Sequence, residues 1–155
     1  MHRVGVLPFK QKNNEIVMLF VSSQTRGRLI LPKGRLKKGE SHEDGCHREA
    51  FEEAGLVGTI LSDFPITLPI TRQTDDGLEK IPVTYYPMLV DELADKWPEK
   101  GDRKRNWVRM KEAKNVVPGR DMLDVVKRFD KLLPWVKDEI AKLDSKKENK
   151  LKLVK

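Results

Sequence analysis

Apolar positions follow two spacings along the chain, and the change between them separates strand-forming from helix-forming segments. Val4 to Phe9 and Glu15 to Val21 are apolar at successive positions, with the polar run Lys10-Gln11-Lys12-Asn13-Asn14 between them. This predicts a strand–turn–strand pair whose second member is covered on both faces. Ser22 to Arg28 reads as a loop, and Leu29-Ile30-Leu31 as a short strand ended by Pro32. Val57 to Arg72 and Lys80 to Val90 predict two strands joined at Thr74-Asp75-Asp76-Gly77; Pro82 and Pro87 argue for an edge position or a bulge in the second. A polar loop from Asp91 to Asp102 leads to a short strand, Asn106 to Met110, and a brief helix, Lys111 to Val116.

Helical spacing is clearest in two places. Ser41 is a plausible N-cap with Asp44 three residues on, and Gly55 suits a C-terminal stop. At about 100° per residue, Ala50, Phe51 and Ala54 share one side of this helix, while Glu49 and Glu53 share another with Glu52 beside them. Arg48 is one turn before Glu52, in reach of it. The small alanines let the helix pack against a sheet while its acidic edge faces a cleft. From Asp121, apolar residues from Met122 through Leu143 recur at helical spacing, with Pro134 expected to kink or restart the helix.

Length and charge narrow the picture. A chain of 155 residues suits one domain, expected over residues 1–144, with a basic, frayed tail over 145–155. A formal charge of +7 suggests an anionic partner, although the lysine-rich end also reads as a solvated helix terminus. A lone cysteine, Cys46, allows no intramolecular disulfide and fits a reducing compartment. No apolar run approaches the ~18 residues of a membrane span, and no secretory h-region stands at the start, so a cytoplasmic protein without membrane contact is expected.

The chemistry concentrates between Leu31 and Leu56. Like charges at i,i+4, as in Glu49 and Glu53, destabilise a helix by a few tenths of a kcal/mol and call for a counter-charge, for which a divalent metal is the obvious candidate. The spacing runs Gly34, five residues, Glu40, seven residues, Arg48-Glu49-Ala50, one residue, Glu52-Glu53, one residue, Gly55-Leu56. It resembles the Nudix box at every charged and glycine position; only Ala50 departs, where a larger aliphatic is usual. The resemblance implies an α+β Nudix fold, a mixed β-sheet sandwiched between helices (α/β/α) with a C-terminal helix. It also implies hydrolysis of a phosphoanhydride using Mg²⁺ or Mn²⁺. On it, Glu49 and Glu53 are principal metal ligands assisted by Glu52, and the Lys33 backbone carbonyl adds a ligand. Glu40 stands behind them or joins them, Glu53 is the first choice of general base, and Asp75, Asp76 and Glu79 are reserves. Gly34, Arg48 and Gly55 are structural. His42, His47 and Cys46 lack the surroundings of ligands or nucleophiles and read as surface or packing residues.

Outside the box, Val21-Ser22-Ser23, Leu31-Pro32-Lys33-Gly34 and Gly101-Asp102-Arg103-Lys104-Arg105-Asn106-Trp107 resemble the diphosphoinositol polyphosphate and diadenosine polyphosphate hydrolases, as does Trp97 upstream. By that resemblance Arg3, Ser23, Arg72 and Arg103 contact substrate phosphates. Arg28 and Lys33 join them on charge and proximity, within a basic surround that includes Arg26, Arg35, Lys37 and Lys38. Arginine forks bind phosphate oxygens in pairs, which suits a ligand with many phosphates. Few spare aromatics are available to stack a base, although Phe64, Tyr85, Tyr86 and Trp97 could each serve. The expected partner is a polyphosphorylated small molecule, with nucleic acid less favoured and the protein a monomer or weak homodimer. RNA 5′-pyrophosphate hydrolysis, nucleotide clean-up and a non-catalytic nucleotide-binding module are the competing readings.

Overall fold

The structure, a computed structural model, describes residues 2–23 and 27–154; Arg26, counted above among the basic residues, lies outside them. Eight strands join into one mixed sheet. The predicted hairpin is present as β1 (Arg3–Lys12) and β2 (Glu15–Ser22), paired antiparallel with Phe9 opposite Met18. Asn13 and Asn14 both adopt positive φ at its tip, as asparagine tolerates in a tight hairpin turn. The two strands alternate across the sheet. Val4, Val6, Leu19 and Val21 enter one apolar cluster, and Leu7, Phe9, Met18 and Phe20 the other, so both faces are buried as the continuous apolar runs predict.

The first cluster is closed by α1 (His42–Ala54) through Cys46, Ala50 and Ala54. The second is closed by α2 (Met110–Val116) and α3 (Gly119–Val154), chiefly through Val125, Val126 and Phe129. The α/β/α layering follows, and no helix of the described residues is long and apolar enough to cross a membrane.

The elements differ in detail from the predicted ones in four places. The short strand ended by Pro32 is followed at once by another: β4 (Lys33–Arg35) comes after the two-residue β3 (Leu29–Ile30) and pairs with β1, setting Lys33 opposite Gly5. Val57 to Arg72 is two strands, β5 (Leu56–Ile60) and β6 (Ile66–Thr74), because the chain turns through residues 61–65, ending in Pro65. The strand carrying Pro82 and Pro87 is β7 (Gly77–Leu93), which is central and pairs with β1, β5 and β6. Its prolines fit because pairing changes hands around them. Pro82 precedes the first β1 pair at Val83, and Pro87 lies between the last β6 pair at Tyr85 and the first β5 pair at Met88. The irregularity in β7 falls later, between the Val57–Glu92 and Gly58–Val90 pairs. Finally, α3 is assigned as one helix that runs past Pro134 to Val154. The last strand, β8 (Arg105–Arg109), pairs with β2.

Candidate active site

Helix α1 begins as its sequence predicts, with Ser41 Oγ accepting the Asp44 N–H at 3.1 Å. It ends at Gly55, whose φ of 66° is left-handed and whose N–H returns to the carbonyls of Ala50 and Phe51. Trp97 lies so close to Gly55 that an added Cβ would meet its ring at 2.7 Å. Two independent reasons therefore require glycine there.

Arg48 organises the acidic edge. It grips Glu40 with two bonds, Nε to Oε2 at 2.8 Å and Nη2 to Oε1 at 2.9 Å. The same guanidinium donates to Glu49 Oε1 at 2.7 Å, to Glu52 Oε2 at 3.4 Å and to the Arg35 carbonyl at 2.9 Å. Glu40 also accepts the Lys37 N–H at 3.0 Å. These bonds, from Arg48 first, hold its carboxyl at a pKa of about 2. Glu40 is thus committed to supporting Arg48.

Glu49 and Glu53 behave oppositely. Glu49 is buried at 7 % exposure, over Gly34, and burial raises its pKa against the pull of Arg48. Glu53 accepts the Lys33 N–H at 3.3 Å, and burial pushes its pKa up to about 8. Arg103 opposes that rise, while Glu49 and Glu99 add to it. Two carboxylates short of positive charge suit a hard cation, and Mg²⁺ commonly takes one or two carboxylates, keeping water and substrate oxygens in its other positions. Among the described residues no three acidic, histidine or cysteine side chains converge into a ready-made cage, so this smaller donor set is what the chain offers.

Lys33 links the carboxylates to a basic pocket. Its side chain lines a cavity of about 250 Å³ with Arg3, Ile70 and Arg72, and an adjoining hollow adds Arg35 and Lys80. Crowding shows in the charges. Burial, then Arg3, lowers the Lys33 pKa, and burial, then Arg72 and Arg35, lowers that of Arg3. Arg28 and Lys33 also line a second, more apolar cavity with Tyr85 and Asp121.

Four of the six residues predicted to bind phosphate, Arg3, Arg28, Lys33 and Arg72, thus come together along these adjoining cavities. Ser23 is engaged within its own loop, its Oγ accepting the Arg28 N–H at 3.0 Å. Arg103 is mostly buried, bonded to Glu99 at 3.3 Å and to the Ser22 carbonyl at 3.2 Å, and stands close enough to lower the Glu53 pKa. Of the reserve bases, Glu79 faces the Arg3–Arg72 hollow, whereas Asp75 and Asp76 sit on the exposed β6–β7 turn.

The four aromatics are all occupied by packing. Tyr85 lies against Gly5, Phe64 against the α3-side core, and Trp97 between Gly55 and the Arg105 guanidinium. Tyr86 bonds His42 at 2.9 Å, and His42 stacks on His2. His47 lies 3.9 Å from Glu43, and Cys46 is buried. Glu99 and Arg105 are the residues that spacing misses. Arg105 stands out in the sequence only as part of the run from Gly101 to Trp107 and Glu99 not at all, because what matters is their contact with a helix some 50 positions earlier.

Comparison with known proteins agrees with this geometry. A family model described as NUDIX domain matches residues 1–135. "Nudix hydrolase 18, mitochondrial" of Arabidopsis thaliana is 33% identical, over 88% of this chain and 83% of its own. The diphosphoinositol polyphosphate phosphohydrolase 3-beta of Bos taurus is 30% identical, over 74% and 68%. Among solved structures, a C. elegans Ap4A hydrolase superposes with a TM-score of 0.65 at 20% identity, covering 85% of this chain and 97% of that one, which is a likeness of fold. With its glycines, carboxylates and arginine in their places on β4 and α1, the chain belongs to the NUDIX domain family.

Proposed function

We propose that this Nudix hydrolase cleaves a phosphoanhydride bond in a highly phosphorylated metabolite, a diphosphoinositol polyphosphate or a diadenosine polyphosphate. One observation carries the reading: the under-neutralised carboxylates Glu49 and Glu53 stand next to a pocket of crowded cations, joined through Lys33. Glu49 and Glu53, with Glu52 and the Lys33 carbonyl, would hold Mg²⁺ or Mn²⁺. Such an ion supplies charge neutralisation on phosphate oxygens and lowers the pKa of a water. Glu53, beside the Lys33 N–H at the end of α1, is the first choice to take a proton from the attacking water.

Arg3, Lys33 and Arg72 would bind the phosphates beyond the scissile bond, displacing the repulsion they now exert on one another. Because Phe64, Tyr85, Tyr86 and Trp97 are already packed, recognition through phosphates rather than through a stacked base is favoured. The diphosphoinositol polyphosphates are accordingly the first choice. The exposed lysine-rich end of α3 supports RNA 5′-pyrophosphate hydrolysis as the second reading. A cytoplasmic setting is part of the proposal and rests on the single reduced cysteine.

The experiment is a phosphate-release screen with Mg²⁺ and with Mn²⁺ across inositol pyrophosphates, diadenosine polyphosphates, nucleoside triphosphates, ADP-ribose and 5′-triphosphate RNA. Preferential turnover of the first two classes is expected. Preference for the RNA would move the assignment to the second reading, and no turnover of any would leave a binding module.

A further inference from the structure

Helix α1 carries Glu53 in its last turn, where an α-helix is weakest because its final carbonyls have no partners within it. Two features make this end worse than usual. The last turn has no basic residue to offset the negative end of the helix dipole, and the carboxylate it holds is half-buried and repelled by Glu49 and Glu99. Unwinding the turn would release Glu53 to water. Something must prevent it.

The segment from Ala94 to Lys104, between β7 and β8, and Arg105 at the start of β8 supply what the helix lacks. The Glu99 N–H donates to the Glu52 carbonyl at 3.1 Å, and the Ala94 N–H to the Gly55 carbonyl at 2.8 Å. Arg105 Nη1 donates to the Ala54 carbonyl at 3.3 Å and to the Ala94 carbonyl at 3.0 Å, so one guanidinium ties the helix end to the segment. It also brings a positive charge to the helix C-terminus. Trp97 fills the gap: its ring presses on Gly55 and the Arg105 guanidinium lies 4.2 Å from its centroid. The Glu99 side chain meanwhile bonds Arg103, which donates to the Ser22 carbonyl and faces Glu53.

The geometry points to a positioning clamp: Arg105, with Trp97 and the Glu99 backbone, grips the last turn of α1 and so holds Glu53 where a metal ion and substrate would meet it. This rests on the metal-dependent reading above. Arg105 touches neither, and it acts through the Ala54 carbonyl. Partners standing behind metal ligands typically change metal affinity about 10–100-fold when lost.

Two measurements on the full chain test it, with Arg105→Met and Arg105→Lys. In metal-free protein, amide hydrogen exchange at Glu52 to Gly55 should become roughly tenfold faster in Arg105→Met while the sheet stays protected. In the same folded protein, Mn²⁺ affinity read by electron paramagnetic resonance should weaken about tenfold. Arg105→Lys keeps the charge but cannot reach both carbonyls, and should fall between, roughly threefold weaker. If Arg105→Met does not fold, the lysine variant decides on the same two readouts. Unchanged exchange at the helix end overturns the clamp. Faster exchange with unchanged Mn²⁺ affinity overturns its positioning role, as a merely stabilising contact would give. Failure of the unsubstituted protein to bind Mn²⁺ would sink the metal reading instead, and the exchange result still decides the clamp.

Discussion

The carboxylate of Glu49 occupies the space that a side chain on Gly34 would need: a Cβ built there collides with Glu49 Oε1. Glu49 cannot easily swing away, because Arg48 holds the same oxygen at 2.7 Å. In Gly34→Ala, the fold should lose only about 1–3 kcal/mol, the usual cost of overpacking. Turnover should fall much further, roughly 100-fold, since a shift of about 1 Å in a reacting group has that effect. Thermal melting beside steady-state rates checks this, and a variant with full activity would show that Glu49 need not sit over Gly34.

Glu53→Gln should separate activity from stability. Its carboxylate is costly to bury, so the amide should leave the metal-free protein as stable as before, or more so, at pH 8. Turnover should drop by roughly 10²–10⁴-fold. Rates near those of the unsubstituted protein would end the assignment of Glu53 as base and ligand.

Acidity should act on the metal-free protein in two windows of opposite sign. Glu53 is raised from 4.5 to about 8, so it favours the fold fully below pH 4.5, and that advantage is lost as pH rises through 8. Glu49 shifts in the same direction. Glu40 is lowered from 4.5 to about 2, so its bond to Arg48 stabilises above pH 4.5 and is lost as pH falls through 2. Melting of the metal-free chain should therefore weaken between pH 5 and 8, and Mg²⁺ should raise the midpoint more at pH 8 than at pH 6. Equal Mg²⁺ increments at both pH values would contradict this.

Gly55→Ala should destabilise by more than its backbone cost alone. A left-handed φ charges any other residue about 1–2 kcal/mol, and the new Cβ must also displace the Trp97 ring. Urea unfolding gives the total. In Gly55→Ala combined with Trp97→Ala the excess should vanish, leaving the backbone cost plus the loss of the indole.

How far the sequence reveals these features depends on whether the cause is local. Helix α1 is legible from Ser41 to Gly55 because cap, stop and apolar face all act within a few residues. The β1–β2 hairpin is legible for the same reason. Strand β4 is not, since Lys33-Gly34-Arg35 has no apolar pattern and becomes a strand only by pairing with β1. The central place of β7 is hidden too, because its prolines are tolerated where pairing changes, Pro82 just before the first β1 pair and Pro87 where β6 hands over to β5. The box carboxylates are marked by spacing, whereas the gathering of Arg3 with Arg72 depends on β1 and β6 lying on either side of β7.

Arg48 binds both ends of the short stretch after the box glycine, the Arg35 carbonyl on one side and the Glu40 carboxylate on the other. The chain between Gly34 and Glu40 therefore works as a ruler of fixed length. An exposed residue within it, such as Lys38, can change freely, whereas Leu36 packs on the core beneath α1; one inserted or deleted residue must detach Arg48 from an anchor and, through it, release Glu49. The number of residues in that loop is as much a part of the site as the glutamates are.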